Sequence, residues 1–93
     1  GEFRKRVQFM YPGELMKIQF YFRGVNVEAV LDRLPTARIL SQKDGEWLVE
    51  AQVYGQGMMM WLLSQGEMIE VVSPASFRQK IVEKLKKMLE NYE

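Results

Sequence analysis

The sequence predicts an α+β domain in which four strands and two helices form two layers, with a third helix at the end of the chain. The chain has 93 residues, of which 47% are hydrophobic and 27% charged, as is typical of one globular domain. Apolar residues alternate with polar ones in some segments and recur at helical spacing in others. One Asp-Gly pair, Asp44-Gly45, separates two alternating segments, which is typical of a β-hairpin.

The first strand and the first helix are predicted within residues 16–34. Apolar residues alternate with polar ones from Met16 to Phe22, the pattern of a strand with one buried face. Asn26 is a favourable helix N-cap, and Pro35 ends the helix that follows. Four apolar residues share one face of this helix: Val27, Val30, Leu31 and Leu34.

The hairpin is predicted to join a strand over residues 37–42 to a longer strand over residues 46–54. Asp44 and Gly45 both accept the positive φ that a tight primed turn requires. Alternation on the longer strand predicts one inward face, formed by Trp47, Val49, Ala51 and Val53.

Glycines and a proline mark the remaining elements. Gly55 and Gly57 break the hairpin strand and open a helix over residues 58–65, and Gly66 is a natural residue to end it. Residues 68–72 form a short fourth strand. A final helix is predicted to be capped by Ser73, to have Pro74 at its first helical position, and to carry an apolar stripe: Phe77, Ile81, Leu85, Met88 and Tyr92.

The first six elements have the order of the ferredoxin-like, or split βαβ, fold. We therefore expect a βαββαβ sandwich, with a four-stranded antiparallel sheet and two helices on one face, plus the C-terminal helix. Ile18, Ile39 and Val53 are expected on the inward face of the sheet. The core is predicted to contain Phe20, Phe22, Trp47, Val49, Trp61, Leu62, Ile69, Val71, Ile81 and Leu85.

Composition argues against catalysis. The chain has neither cysteine nor histidine, so it lacks thiolate nucleophiles, the usual general base near neutral pH and the commonest metal ligands. Ser73 reads as a helix cap and Ser76 as a residue of the first helical turn. The carboxylates Glu46, Glu50, Glu67 and Glu70 are expected to face water. We predict no catalytic residue, no cofactor and no metal site. The longest apolar run, residues 58–63, is too short to span a bilayer, so no membrane association is expected.

The face of the sheet away from the helices invites comparison with single-strand nucleic-acid binders of the same topology. It would carry Lys17, Gln19 and Tyr21, but also a carboxylate, Glu50, in the middle of the third strand, and net charge is only +1. These features weigh against a base-stacking platform. Tyr21 is a candidate interface residue. So are Met58 and Met59, from a methionine run in which at least one or two members are expected to fill the core.

The block from Trp61 to Pro74 resembles the C-terminal extension domain, called WCX, of bacterial WYL-domain transcriptional regulators. It combines a Trp-Leu-Leu-Ser-x-Gly helix end, an alternating strand, a proline and then a basic helix. Pro12-Gly13-Glu14, Val30-Leu31-Asp32-Arg33 and the Asp44-Gly45 hairpin fit the same pattern. The resemblance covers residues 9 to 92.

The resemblance implies a non-catalytic regulatory and oligomerisation module that transmits effector binding to a DNA-binding part. Its partners would be the WYL domain of the same or a partner chain, and a homodimer in the whole protein. A nucleotide or single-stranded nucleic acid would be the effector, and DNA would be bound only through a helix-turn-helix that this chain lacks. Arg23, Arg33 and Arg38 are candidate contacts to an anionic effector or a neighbouring domain, since the guanidinium suits phosphate.

We further expect residues 1–8 to be a tag remnant and interdomain linker, residues 9–93 to be the regulatory domain, and the location to be cytoplasmic. Two alternatives stay open from the residues alone. One is a single-stranded nucleic-acid-binding domain. The other is a small-molecule sensor of the same topology.

Overall fold

The computed structural model describes residues 15–93, with Gln56 described by its backbone alone. The domain is of the α+β class, with a four-stranded antiparallel sheet and three helices. The predicted boundary at residue 8 and the motif Pro12-Gly13-Glu14 lie outside the described residues. The strands are β1 (Leu15–Phe22), β2 (Arg38–Lys43), β3 (Glu46–Tyr54) and β4 (Ile69–Ser73). The helices are α1 (Val27–Arg33), α2 (Gly55–Ser64) and α3 (Ala75–Glu90), and a 3₁₀ turn covers Gly66–Met68.

The sheet has the strand order β2-β3-β1-β4, and all neighbours are antiparallel. β1 and β3 therefore lie in the centre, and Phe20 of β1 pairs with Val49 on one side and Val71 on the other. β2 and β4 form the two edges.

Local chemistry explains where several elements begin and end. Asn26 caps α1, since its Oδ1 accepts a hydrogen bond from the Ala29 N–H at 3.3 Å. Asp44 and Gly45 have φ values of 53° and 80°, which confirms the primed turn of the hairpin. Gly66 has φ 64°, the left-handed conformation expected just after a helix.

The boundaries of α2 and α3 differ from those predicted. α2 begins at Gly55 rather than Met58, and a Cβ on Gly55 would lie 2.8 Å from the Met16 sulfur. Gly55 thus permits a close approach of the backbone to β1, and β3 passes directly into α2. Ser73 is the last residue of β4 and makes no cap hydrogen bond, and Pro74 precedes the first helical residue rather than occupying it.

All buried residues of the sheet lie on one face, and the buried residues of the three helices join the same cluster. The helices therefore cover this face, and the other face is open to solvent. The core consists of Ile18, Phe20, Phe22, Val27, Val30, Leu34, Val49, Ala51, Val53, Leu62, Val71, Phe77 and Ile81. Trp47, Trp61 and Ile69 are half-buried and pack against it.

Two residues expected to point inward are exposed. Leu85, predicted as core, is 48% exposed, because α3 buries only Phe77 and Ile81 in its first two turns. Ile39 is 37% exposed, because edge strand β2 has no buried residue along its length. Among residues 15–93, no helix combines the length and apolar composition needed to cross a bilayer.

Candidate functional site

The open face of the sheet presents charged and polar side chains from all four strands. The register places Gln19 opposite Glu50 and Tyr21 opposite Leu48 on the central strands. β2 adds Arg38, opposite Glu50, and β4 adds Glu70, opposite Tyr21. The acidic and basic groups on this face form two clusters, one around Arg23, just after β1, and one around Glu50, opposite the middle of β1.

The first cluster surrounds Arg23. Its Nε donates to Glu46, and its Nη2 donates to Glu70 at 2.8 Å. Arg78, near the start of α3, donates from Nη1 to Glu70 at 3.2 Å and to the Val71 carbonyl at 2.7 Å. The Arg23 guanidinium also lies 5.7 Å from the centre of the half-buried Tyr21 ring, in the range of a cation–π contact. The cluster thus links β1, β3, β4 and α3.

The second cluster surrounds Glu50. Arg38 pairs with its Oε1 at 2.9 Å, and the Gln19 Nε2 donates to its Oε2 at 3.1 Å. Lys17 contributes a further positive charge nearby. Lys17, Arg38 and Glu50 border a shallow depression of about 320 Å³. The one carboxylate that lines the depression, that of Glu50, is already bound by Arg38 and Gln19.

The hydrogen bonds of the two clusters favour the ionised forms of Glu50 and Glu70. Hydrogen bonds from Arg23 and Arg78 lower the pKa of Glu70, and burial opposes them only in part. The hydrogen bond from Gln19, followed by that from Arg38, lowers the pKa of Glu50. Hydrogen bonds to Glu70 and Glu46 raise the pKa of Arg23. A general acid near neutral pH needs a raised carboxyl pKa, so these groups suit structural ion pairing better than proton transfer.

These shifts predict a dependence of stability on pH. Because the pKa of Glu70 is lowered by folding, its ion pairs contribute fully above the ordinary value of 4.5 and are lost as pH falls through the folded-state value. We expect Glu70→Gln to reduce the loss of stability on acidification below pH 4.5, measured by urea unfolding at several pH values. The matched control is Glu90→Gln, which removes an exposed carboxylate of α3 that forms no ion pair within residues 15–93. The explanation fails if both variants behave alike.

A groove of different character lies between the end of α1, the end of β3 and the start of α2. It has a volume of about 360 Å³, and its walls include Leu34, Pro35, Val53, Tyr54 and Met58. Arg33 lies at its edge. The loop after α1 is held to β3, because the Thr36 hydroxyl donates to the Gln52 carbonyl at 2.8 Å and accepts from the Gln52 N–H at 3.0 Å.

Arg33 differs from the other two predicted arginines. Its side chain makes no salt bridge or hydrogen bond within the part of the chain that the structure describes, whereas Arg23 and Arg38 are bound to carboxylates. A free guanidinium beside an apolar groove can bind a carboxylate or phosphate next to an apolar group. This groove is therefore the strongest candidate contact site, and its walls are already formed.

The structure does not bring all predicted site residues together. Arg23, Arg38 and Tyr21 lie on the open face, while Arg33 and Met58 meet at the groove. Met59 is half-buried against the core, and the exposed member of the methionine run is Met60, at 71%.

Sequence reasoning missed the role of three strand carboxylates and of Arg78. It expected the glutamates simply to face water, but Glu46, Glu50 and Glu70 each bind an arginine. The only signal in the sequence for these contacts was strand alternation, which places all three glutamates on one face of the sheet. Among residues 15–93, no three acidic side chains come together as potential metal ligands.

Comparison with known protein families identifies the family of this chain. The sequence model of the WCX domain family matches residues 13–89, which is most of the chain. The match contains every helix and strand described above, apart from the last residue of α3. No curated protein matches the chain. This chain therefore belongs to the WCX domain family.

Proposed function

We propose that this domain is a non-catalytic regulatory and assembly module of a WYL-type DNA-binding transcriptional regulator, and that it passes the state of an effector to the DNA-binding part. The family match over residues 13–89 carries this proposal. Its preformed groove and its ion-paired open face are surfaces suited to binding other domains. A cytoplasmic location, dimerisation and response to a nucleotide or single-stranded nucleic acid belong to the same proposal.

The fold is proposed to be ferredoxin-like. Read from the β4 edge, the strand order is β4-β1-β3-β2, with every neighbour antiparallel. The crossover through α1 then joins two parallel strands, β1 and β2, that enclose β3. The crossover through α2 joins β3 and β4, which enclose β1. Two such interlocked crossovers are what split βαβ units produce.

The groove is proposed as the contact to the WYL domain. Its walls offer apolar area from Leu34, Val53 and Met58, and methionine adapts its shape to a partner. Arg33 at its edge has no ion pair within residues 15–93 and can bind a carboxylate of the neighbouring domain in a bidentate manner. An apolar anchor flanked by an acidic residue is the partner chemistry that this arrangement fits.

We expect Arg33→Glu to weaken binding of the chain to its WYL domain by about tenfold or more, since the change replaces attraction with repulsion at a partly desolvated contact. The measurement is isothermal titration of the purified chain with the WYL domain from the same regulator. Lys43→Glu, at the hairpin, makes the same charge change on an exposed lysine away from the groove and is the matched control.

Equal affinity of the wild type and Arg33→Glu would remove the groove from the proposal. Loss of affinity in both charge variants would show a general electrostatic attraction instead of a local contact. Raising the salt concentration separates these results, because a long-range attraction is screened more strongly than a desolvated ion pair.

The open face also bears on the nucleic-acid alternative. Tyr21 could stack on a base, but the Arg23 guanidinium lies over its ring, and carboxylates lie on both neighbouring strands. Titration of a fluorescent single-stranded oligonucleotide at low salt distinguishes the two functions. The regulatory proposal predicts that the oligonucleotide does not bind the open face. The nucleic-acid alternative predicts binding that weakens as salt is raised and that is weaker in the Lys17→Ala variant.

A further inference from the structure

The apolar groove beside Arg33 has a polar neighbour. The shallow depression of the Glu50 cluster, of about 320 Å³, shares two lining residues, Thr36 and Gln52, with the groove of about 360 Å³. The two cavities therefore lie side by side, and we call them together the edge cleft. Each volume falls within the range of small-molecule sites, roughly 300–1,000 Å³.

The edge cleft exists because β3 is longer than its neighbour β2. β3 runs for 9 residues and β2 for 6, and their pairing ends where Arg38 meets Glu50. Within residues 15–93, no strand pairs with residues 51–54 on that side. The Thr36 hydroxyl takes the place of a strand there, because it both donates to and accepts from the backbone of Gln52. These hydrogen bonds fix the border that the two cavities share.

The polar half of the edge cleft presents positive charge to solvent. The Arg38 side chain is 70% exposed, whereas that of Glu50 is only 12% exposed. Nε and Nη2 of Arg38 both lie against one oxygen of Glu50, so its Nη1 donors have no partner within residues 15–93. Lys17 lines the same half and forms no salt bridge in that part of the chain. Two cations thus accompany one carboxylate that is withdrawn from solvent, a balance that suits an anionic group.

The other half of the edge cleft offers apolar surface. Its lining includes Leu34 and Val53, which belong to the core, together with Pro35 and Met58. Arg33 is the only charged side chain among the described residues that line this half. An apolar group placed here removes apolar surface of both partners from water.

We propose that the edge cleft binds a small amphipathic monocarboxylate, with its apolar body in the groove and its carboxylate between Lys17 and Arg38. The binding goes beyond the proposed function, because it needs no WYL domain. It also gives that function a regulator, since the ligand and the WYL domain compete for the same groove. The competition, unlike the binding, rests on the proposed function.

Octanoate is a suitable probe, because it joins an aliphatic chain to one carboxylate. Titration followed by two-dimensional ¹H–¹⁵N NMR should give saturable shifts around Lys17 and within residues 33–38 and 50–58. We expect a dissociation constant on the order of 1 mM for a ligand of this size. Acetate, which lacks the chain, and 1-octanol, which lacks the charge, should each bind about fivefold more weakly or worse.

Two variants test the position of the carboxylate. Arg38→Gln and Lys17→Gln should each raise the dissociation constant for octanoate about threefold or more, because each removes a cation beside the carboxylate. The matched control is Lys43→Gln, which removes a positive charge at the other end of β2, outside the edge cleft, and should leave the dissociation constant unchanged.

Three results would overturn the inference. They are the absence of saturable shifts up to about 20 mM octanoate, shifts centred on α3 instead of the edge cleft, and equal affinity for octanoate and 1-octanol. The proposed function is tested separately, by titrating the WYL domain with and without octanoate. If octanoate binds the edge cleft and the WYL affinity stays the same, the ligand site stands and the groove is not the WYL contact.

Discussion

Replacement of Phe20 with alanine is expected to lower the free energy of unfolding by about 3–5 kcal/mol. The Phe20 side chain is fully buried on the central strand β1 and pairs with Val49 and Val71. Its removal leaves a cavity between the sheet and the helices that the neighbouring strands cannot fill. Small domains have a total stability of about 5–15 kcal/mol, so the variant should be close to unfolding at 25 °C. Urea unfolding followed by circular dichroism measures the change.

Leu15→Ala on the same strand is the matched control, since Leu15 is exposed at the start of β1. We expect it to change stability by no more than about 0.5 kcal/mol. Comparable losses from both substitutions would mean that the apolar layer is not where the alternation of β1 places it.

Gly24→Ala is expected to cost about 1–3 kcal/mol, the range seen when a packed site is overfilled. A Cβ at position 24 would lie 2.3 Å from Cζ of the Phe22 ring. Phe22 is itself buried, so its ring cannot move without disturbing the core. Thermal and urea unfolding of the purified variant measure the effect.

The Phe22→Leu background isolates the cause. Leucine lacks the ring atom that the new Cβ would meet, so Gly24→Ala should cost less there than in the wild type. A double-mutant cycle with a coupling of about 0.5 kcal/mol or more in this direction supports the steric explanation. An unchanged cost would point instead to the backbone conformation at Gly24.

Most of the architecture was predictable, because local chemistry specifies it. Asn26, the Asp44-Gly45 pair and Gly66 act through their own backbone and cap geometry, and each lies where its chemistry predicts. Strict alternation on β1 and β3 likewise identified the buried face, because a strand in register can bury only every second residue.

The edge of the sheet was harder to predict. A regular two-residue hairpin would place Arg38 opposite Ala51, on the face covered by the helices. An irregularity between Ile39 and Ser41 shifts the register, so that Arg38 lies opposite Glu50 on the open face. No residue pattern in the sequence predicts this bulge. Without the bulge, Arg38 would lie on the other face of the sheet, and the Glu50 cluster would not form.

The candidate site was predictable only in part. Arginine chemistry pointed to Arg33, but its apolar surroundings depend on how the loop after α1 packs against β3 and the start of α2. These segments are separated by about twenty residues in the sequence. The exposed half of α3 was missed for a similar reason: its stripe indicates an apolar contact, but periodicity cannot say whether the contact lies within the chain.

We propose that this domain acts by binding a WYL domain through the groove beside Arg33. Hydrogen–deuterium exchange of the chain, with and without the WYL domain, tests it most directly. We expect slower exchange in the loop after α1, at the end of β3 and at the start of α2, and no such protection with Arg33→Glu. Protection confined to the open face, or none at saturating WYL domain, would contradict the claim.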